Sequence, residues 1–297
     1  MARIAYVFPG QGSQFPGMGK DLYDNYSEVR EIYHKAKNIA GFDIAEISFD
    51  ADKKTLSQTQ FTQPCIFTHS YAVMISLGSN AKFDGVAGHS LGEYSALTAA
   101  KVFSFEDGLF AVTRRGELMS EAKEGTRLAP LGAKLEDVES VVNELKSDGI
   151  IEIANYNSPV QFIISGEKNL LDKAGEMLKQ RGARRIIPLT VSGAFHSPLM
   201  AEAQNKMEKI LAKIDFSTPN VDFYANVTGD KVADTEQIRK NLVLQLTNPV
   251  KWMDIVNSML DDDFNSFVEI GPGKVLQGLI SKISKSLDVE IFSWKSM

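Results

Sequence analysis

The stretch DGVAGHSLGEYSALTAA, residues 84–100, contains the pattern that decides the fold. Its first part is short and apolar, which predicts a strand, and the Ala-rich part from Leu91 to Ala100 predicts a helix. Between them, GHSLG fits the G-x-S-x-G pattern, a sharp strand-to-helix turn that exposes a serine hydroxyl at the end of a sheet strand. The stretch therefore predicts a strand–turn–helix unit with Ser90 at its tip.

Apolar runs on either side of this unit alternate with amphipathic helical stretches. Strand-like runs occupy residues 4–8, 266–270 and 290–292, and the second of them ends in a Gly-Pro-Gly turn. Such alternation is typical of an α/β architecture with a mainly parallel sheet. Together with the serine turn, it predicts an α/β-hydrolase-like core.

The middle of the chain follows a different order of elements. The pattern predicts strands at residues 127–132, 150–154, 161–165 and 184–189, and helices at 135–146 and 169–181. This βαββαβ order is ferredoxin-like. We therefore predict an inserted ferredoxin-like subdomain at residues 127–191, with residues 1–126 and 192–297 forming the catalytic core.

The composition argues against several classes of protein. Of the 297 residues, 43% are hydrophobic and 24% are charged, and no apolar run approaches the ~18–20 residues needed to cross a bilayer, so no membrane role is predicted. The net charge of −6 disfavours nucleic-acid binding. The first residues lack the pattern of a signal peptide, and a single cysteine, Cys65, fits a reducing compartment, so we expect a cytoplasmic protein. One cysteine cannot build a Cys-based cluster, and no metal site is predicted.

A serine needs a base before it can act as a nucleophile. Of the four histidines, His34 and His69 fall in helical patterns and are expected to pack or to face solvent. His89 adjoins Ser90 in the turn and is expected to point away from it, in a structural role. His196 stands in a loop of small residues after a strand, where a base can face a cleft.

No pattern marks an acid between the serine and the histidine, as a hydrolase triad would require. The candidates Asp137, Asp148 and Asp172 fall at helical or turn positions of the predicted subdomain. We therefore expect a Ser–His dyad whose imidazole is oriented by a neutral group. The backbone N–H groups at the start of the helix, beginning with that of Leu91, are placed to stabilise an oxyanion.

Eight short motifs are spread along the whole chain. They are FPGQGSQ (8–14), TQP (62–64), GHSLGEY (88–94), RG (115–116), NYNSP (155–159), FHSP (195–198), NPV (248–250) and EIGPG (269–273). In this order they resemble the malonyl-CoA:acyl carrier protein transacylase family, and eight spaced motifs are far more specific than one serine turn. The resemblance implies ping-pong transfer of malonyl from malonyl-CoA to the phosphopantetheine thiol of acyl carrier protein, for fatty acid biosynthesis.

The resemblance also implies the roles of the central site residues. Ser90 would be the nucleophile and His196 the base, with the imidazole oriented by a backbone carbonyl that maps to Gln245. The backbone N–H groups of Gln11 and Leu91 would form the oxyanion hole.

Arg115 would select the acyl group, because a planar guanidinium can hold the free malonyl carboxylate through a bidentate pair. Without the family motif, this helical arginine would be interpreted as part of a solvated face, and its neighbour Arg114 is expected to point away from the site. Gln63 would line the same cleft. Phe195 resembles the bulky residue of malonyl-specific members, so we predict malonyl over methylmalonyl.

One stretch departs from the family pattern. Where members commonly carry Gly-x-Met-Ala-Ala, this chain has GTRLAP at residues 125–130, which brings Arg127 and Pro130 to the junction with the small subdomain. The effect on substrate range is left open by the sequence.

The expected partners are acyl carrier protein and a coenzyme A thioester. Malonyl-CoA is expected as a substrate, with no permanently bound cofactor. Because carrier proteins are acidic, an acidic transferase needs a local basic surface to recruit one. The candidate docking residues are Lys179, Arg181, Arg184, Arg185, Lys282 and Lys285. An ordinary solvated face is the alternative.

Three other functions remain open. A free-standing malonyl acyltransferase serving a polyketide synthase would use the same residues, and LSQTQFTQ at residues 56–63 resembles such enzymes. A serine hydrolase that releases acyl groups from carriers would have no use for the cation of Arg115. A non-catalytic binding protein is disfavoured by the intact set of Ser90, His196 and Arg115.

Overall fold

A computed structural model describes residues 2–189, 193–285 and 287–296. Within these ranges the strands are β1 (Arg3–Phe8), β2 (Gly85–Gly88), β3 (Thr126–Leu131), β4 (Ile151–Ser158), β5 (Gln161–Gly166), β6 (Arg185–Leu189), β7 (Asp222–Tyr224), β8 (Phe264–Glu269) and β9 (Glu290–Ser293). The helices are α1 (Lys20–Asn25), α2 (Ser27–Ala40), α3 (Ile44–Phe49), α4 (Lys53–Leu56), α5 (Thr59–Leu77), α6 (Gly92–Ala99), α7 (Phe105–Glu121), α8 (Leu135–Leu145), α9 (Lys168–Gln180), α10 (Ala201–Leu211), α11 (Thr235–Leu244), α12 (Trp252–Asp261) and α13 (Val275–Ile283). Short 3₁₀ turns lie at Gly78–Asn80, Pro198–Met200 and Trp294–Ser296.

The larger sheet is parallel, with strand order β7-β2-β1-β8-β9. Its central strand β1 buries both faces, because alternate side chains point to opposite sides of a strand. Tyr6 and Phe8 pack into the core under the helices of one face, whereas Ala5 and Val7 pack into a second core with α12 and α13. Helices on both faces of a parallel sheet confirm the predicted α/β core.

The smaller sheet is antiparallel, with strand order β4-β5-β3-β6. Helices α8 and α9 cover one face and share a separate hydrophobic core with it. The element order β3-α8-β4-β5-α9-β6 and this strand order are those of a ferredoxin-like unit, as predicted. The predicted boundary at residues 191 and 192 lies outside the described residues, so the division of the chain into domains stays a prediction.

Strand β4 joins the two parts of the molecule. It runs beyond the predicted end at residue 154, and Asn155 forms an isolated parallel bridge with Val250. The Tyr156 N–H donates to the Val250 carbonyl at 3.0 Å, and the Val250 N–H donates to the Ala154 carbonyl at 2.9 Å. These bonds fix the small sheet beside the carboxyl edge of the large one.

The carboxyl ends of the parallel strands meet at one edge, where open α/β sheets bind their ligands. Strand β2 delivers the serine turn there, and the loop after β1 brings Gly10 directly against it, since a Cβ on Gly10 would lie 2.4 Å from the His89 carbonyl oxygen. Strand β7, which the sequence pattern did not reveal because it has only three residues, leads to Asn226 at the same edge. No helix among the described residues has the length and apolar character of a membrane span.

The turn tolerates no side chain at two of its glycines. A Cβ on Gly88 would lie 1.9 Å from the Gly92 carbonyl carbon, and a Cβ on Gly92 would lie 2.0 Å from the Phe8 carbonyl oxygen. Backbone atoms cannot move aside as a flexible side chain can. The close contact of α6 with β1 therefore depends on these glycines.

We predict that Gly92→Ala lowers the free energy of unfolding by about 1–3 kcal/mol, the usual cost of overpacking. Gly278→Ala in α13 is the matched control, because no described atom beyond its own turn of helix lies within 4 Å of its added Cβ. In a helix interior this control should stabilise the protein by up to ~1 kcal/mol. Urea unfolding of both variants measures the difference, and equal small effects would contradict the packing argument.

Candidate active site

Ser90 lies at the tip of the turn between β2 and α6. Its φ of 53° is in the left-handed region, which is uncommon for a residue with a side chain and is found at strained functional turns. Its backbone is held on both sides: the Ser90 N–H donates to Asn226 Oδ1 at 2.7 Å, and its carbonyl accepts from Gln245 Nε2 at 2.9 Å. The strained conformation presents the hydroxyl to a cleft of about 320 Å³ between the two sheets.

His196 is brought to the serine from 106 residues further along the chain, with its Nε2 at 2.9 Å from Ser90 Oγ. Its Nδ1 lies 2.7 Å from the carbonyl oxygen of Gln245. A carbonyl can only accept, so Nδ1 carries the proton and Nε2 is left to accept one from Ser90. The neutral imidazole is therefore in the tautomer that a general base needs.

The surroundings keep this imidazole uncharged. Burial, reinforced by the positive charges of Arg127 and Arg115, holds the pKa of His196 well below its ordinary value, and the hydrogen bond to Gln245 opposes the shift only partly. Like Ser90, His196 has a left-handed backbone, with φ 61°. Both of these side chains thus sit on strained backbone.

Arg115, on α7, is almost fully buried, with 1% of its surface exposed. Its Nη1 donates to Gln63 Oε1 at 2.7 Å, and its Nη2 donates to Gln245 Oε1 at 2.8 Å and to Ser90 Oγ at 3.0 Å. The guanidinium has five N–H donors. The buried Nε has no hydrogen-bond partner among the described residues. The side chain is therefore a buried cation that keeps an unused donor near the serine.

Gln11 and Leu91 line the same cleft. Neither backbone N–H has an acceptor in the described part of the chain. Leu91 immediately precedes α6, so its N–H belongs to the positive end of that helix. Both groups are free to donate to an oxygen above Ser90.

Two of the supporting residues, Gln63 and Phe195, face the cleft, whereas the His89 ring points toward a neighbouring side chain. Gln63 contacts Arg115, and Phe195 lines the cleft beside His196. His89 turns its Nε2 toward Asn157 Oδ1 at 2.8 Å, and burial lowers its pKa to about 4, which fits the structural role expected for it.

The structure also places the residues that the sequence analysis did not favour as members of the site. His34 is exposed on α2 and His69 is buried in α5. Arg114 forms an exposed ion pair with Glu117. Asp137, Asp148 and Asp172 all lie in the smaller unit, while Nδ1 of the imidazole is occupied by a carbonyl instead of a carboxylate. Among the described residues no group of His, Cys, Asp and Glu could hold a metal ion.

Sequence reasoning missed three contributors to this site. Asn226 follows β7, Glu93 is buried in the first turn of α6, and the side chain of Gln245 bonds to Arg115 in addition to the expected carbonyl role. A polar residue that follows a strand at the carboxyl edge is a usable signal for Asn226. The other two depend on contacts that no local pattern records.

Arg127 enters the same cleft from β3. One Nη donates to Asn155 Oδ1, and the guanidinium carbon lies 5.9 Å from the centre of the Phe195 ring. Its Nε is buried without a partner among the described residues, and burial lowers its pKa to about 10, so it stays charged at neutral pH. The departure from the family pattern thus adds a second cation to the cleft.

The six basic docking candidates, Lys179, Arg181, Arg184, Arg185, Lys282 and Lys285, are all exposed. Arg185 pairs with Leu131 at one end of the small sheet, and Lys282 Nζ reaches that end by donating to Gln161 Oε1 at 3.4 Å. Arg127 and its register partner Leu189 lie at the other end and line the cleft. Arg181 is partly neutralised by Glu144 at 3.2 Å.

Comparison with known proteins gives a consistent result. A sequence profile described as an acyl transferase domain matches residues 5–292. A malonyl CoA-acyl carrier protein transacylase of Bacillus subtilis is 39% identical over 292 residues, which cover 97% of this chain and 92% of the relative. The solved structure of an acyl carrier protein S-malonyltransferase from Vibrio cholerae has a TM-score of 0.94 and 35% identity, covering 98% of this chain and 96% of that one.

A third relative was solved with a partner. It is a malonyl-transacylase in complex with its type II PKS acyl-carrier protein, with a TM-score of 0.92, 34% identity and coverage of 98% of this chain and 95% of that one.

We predict that Arg127→Met moves the acid limb of the pH profile of serine acylation to higher pH. Removing the cation raises the pKa of His196, so less of the imidazole is neutral at a given acid pH. Arg127→Lys keeps the charge and should keep the limb near its original position. The test is the rate at which the acyl adduct forms on Ser90, measured against pH. An acid limb that stays in place in Arg127→Met would contradict the prediction.

Proposed function

Because this chain belongs to the acyl transferase domain family and, within it, to the malonyl-CoA:acyl carrier protein transacylases, we propose that it transfers malonyl from malonyl-CoA to an acyl carrier protein through an ester on Ser90. One observation carries the assignment: Ser90 Oγ lies within hydrogen-bonding distance of a neutral base, His196, and of a buried cation, Arg115, at 2.9 Å and 3.0 Å. The first contact suits acyl transfer in general. The second suits an acyl group that carries a carboxylate.

In the first half-reaction the Ser90 hydroxyl gives its proton to His196 Nε2 while Oγ bonds to the thioester carbonyl carbon. The negative charge that develops on the carbonyl oxygen is met by the N–H groups of Gln11 and Leu91. The intermediate then breaks its carbon–sulfur bond, and the imidazolium protonates the departing thiolate of coenzyme A.

In the second half-reaction the acyl group leaves Ser90 for the thiol of the carrier protein. His196 takes the proton of the carrier protein's phosphopantetheine thiol, and the sulfur attacks the serine ester. The carbon–oxygen bond to Ser90 breaks, and Oγ regains its proton from the imidazolium, which returns to the neutral form. The base must accept a proton and release it again in each half-reaction. Because His196 is oriented by the neutral carbonyl of Gln245 and not by a carboxylate, its imidazolium is not strongly stabilised and readily gives up the proton.

Arg115 gives the transfer its selectivity. A malonyl carboxylate brought beside Ser90 compensates a buried guanidinium that has no ion-pair partner among the described residues. Acylation also frees the Nη2 donor that otherwise contacts Ser90 Oγ. Phe195 narrows the same cleft, which supports the preference for malonyl over methylmalonyl.

Fatty acid biosynthesis is the pathway we propose, and a polyketide carrier protein is the alternative, since one relative was solved with such a partner. No permanently bound cofactor is required by the chemistry above. The free, buried thiol of Cys65 fits the cytoplasmic location expected from the sequence.

Intact-mass spectrometry after mixing with malonyl-CoA tests the assignment. A stable malonyl adduct is expected with the unmodified chain and not with Ser90→Ala. Arg115→Ala should reduce malonyl adduct formation at least about 10-fold and affect acetyl-CoA far less, because a lost hydrogen bond to a charged group costs about 1.5–3 kcal/mol. Rapid release of free malonate in place of transfer to a carrier protein would favour the hydrolase, and an adduct on Ser90→Ala would refute the mechanism.

The docking surface is tested by reversing charge at Lys179, Arg184 and Arg185 together. We expect KM for an acidic carrier protein to rise about 10-fold while malonylation of Ser90 is unchanged, because only the second half-reaction uses this surface. Reversing Lys209, Lys213 and Lys240, which are also exposed, controls for the change in net charge. An equal effect of the two triple variants would place carrier docking elsewhere.

A further inference from the structure

Glu93 is a buried carboxyl group for which the mechanism above has no use. It lies three residues after Ser90 in the first turn of α6, with 1% of its surface exposed. No Lys or Arg side chain forms an ion pair with it in the described part of the chain. Burying a carboxyl without a paired cation is costly, so its contacts call for an explanation.

In the described part of the chain, the Glu93 carboxyl forms hydrogen bonds with two donors. The backbone N–H of Asn226 donates to Glu93 Oε1 at 3.0 Å, and Gln245 Nε2 donates to Glu93 Oε2. Burial raises the pKa of Glu93 to about 7, while these two hydrogen bonds and the charge of Arg115 lower it. A donor lies at each of the two oxygens, as a carboxylate requires, and with a pKa of about 7 this ionised form predominates above neutral pH.

One partner of Glu93 holds the nucleophile. Asn226 accepts the Ser90 N–H on its Oδ1 and donates from Nδ2 to the Gly88 carbonyl at 2.6 Å. It therefore braces the strained turn on both sides of the serine.

The other partner holds the base and the selecting cation. Gln245 accepts from His196 Nδ1 on its carbonyl oxygen and from Arg115 Nη2 on its Oε1, and its Nε2 donates to the Ser90 carbonyl. One residue thus contacts all three functional groups of the site.

The orientation of the Gln245 side-chain amide decides whether these contacts are favourable. Arg115 can only donate, so it needs the amide oxygen, whereas the Ser90 carbonyl can only accept, so it needs the amide nitrogen. An ionised carboxylate at Glu93 also accepts only. It therefore attracts the nitrogen and leaves the oxygen for Arg115.

We propose that Glu93 is a positioning residue for malonyl selectivity, whose carboxylate fixes the Gln245 amide so that its oxygen holds Arg115 in place for the acyl carboxylate. This inference rests on the proposed function, because it assigns Arg115 to the malonyl group. It adds a residue that acts through Gln245 without touching substrate.

The isosteric variant Glu93→Gln tests the inference. The side-chain oxygen of the introduced amide is needed to accept the Asn226 N–H, so the NH₂ group of that amide faces the NH₂ group of Gln245. Two donors cannot bond to each other, and the Gln245 amide is therefore forced to flip. After the flip, Nη2 of Arg115 faces the Gln245 NH₂ group in place of an acceptor. We expect the rate of Ser90 acylation by malonyl-CoA to fall about 10- to 100-fold, and the malonyl-to-acetyl preference to fall about 10-fold.

A matched control is Glu269→Gln. Glu269 is also a carboxyl with 1% exposure, and it accepts the N–H groups of Leu276 and Gln277 at the start of α13 at 3.0 and 3.1 Å. Its variant should lower thermal stability and leave the malonyl-to-acetyl preference unchanged. A selectivity loss of the same size in this control would mean that any buried charge change disturbs the site, and it would overturn the proposal.

The conservative variant Glu93→Asp provides a further test. It keeps a carboxylate, which can only accept, so the Gln245 amide should keep its nitrogen toward position 93 and its oxygen toward Arg115, and more of the malonyl preference should remain than in Glu93→Gln. Should Glu93→Gln not fold, Gln245→Met removes the amide that Glu93 fixes and should show the same selective loss of malonyl.

The proposal is overturned if folded Glu93→Gln keeps its malonyl preference, or loses malonyl and acetyl acylation equally. It is also overturned if Glu93→Asp loses as much of the malonyl preference as Glu93→Gln. The proposed function fails separately, when the unmodified chain forms no malonyl adduct on Ser90.

Discussion

The site depends on one backbone constraint, the left-handed turn at Ser90 between β2 and α6. The turn exists because the glycines on either side of it lack a Cβ, which lets the start of α6 pack against the carbonyl of Phe8 at the end of β1. The same close packing directs the N-terminus of α6 toward the cleft. The proposed nucleophile and one proposed oxyanion donor are thus placed by one local arrangement, and the other groups of the proposed site are brought to that point.

Charge is the second organising feature. The chain is acidic overall, with a formal charge of −6, yet its cleft contains two guanidinium groups, and no carboxylate of the described residues forms an ion pair with either. Arg115 comes from the large unit and Arg127 from the small sheet, so the cations approach Ser90 from different sides. Both positive charges lower the pKa of His196 and keep its imidazole neutral, and in the proposed transfer they also favour an anionic acyl group, so the proposed base and the proposed selectivity are linked through electrostatics.

The network behind the turn connects these features. Asn226 and Gln245 each contact the backbone of Ser90, and both are held by Glu93. Hydrogen bonds that share partners in a region from which water is excluded strengthen each other, and an unmatched donor there is expensive. The Glu93 carboxylate can therefore influence the conformation of Ser90 through Asn226. Through Gln245 it can also influence Arg115, the cation that is proposed to bind the acyl carboxylate.

The sequence by itself determined the α/β class and the ferredoxin-like insertion, and it predicted Ser90, the N–H of Leu91 and His196 as site groups, because these follow from local periodicity and from short turn and loop patterns. Family resemblance added the predicted roles of Arg115, Gln11 and the carbonyl of Gln245, since a helical arginine by itself indicates a solvated face. Only the tertiary structure decided that Arg127 reaches the cleft, that the docking candidates lie toward the opposite end of the small sheet, and that Asn226 and Glu93 support the turn. The physical reason is distance along the chain: the bonds from Ser90 to Asn226 and Gln245 span 136 and 155 residues, and such partners are chosen by the order of strands in the sheet, which no local pattern specifies.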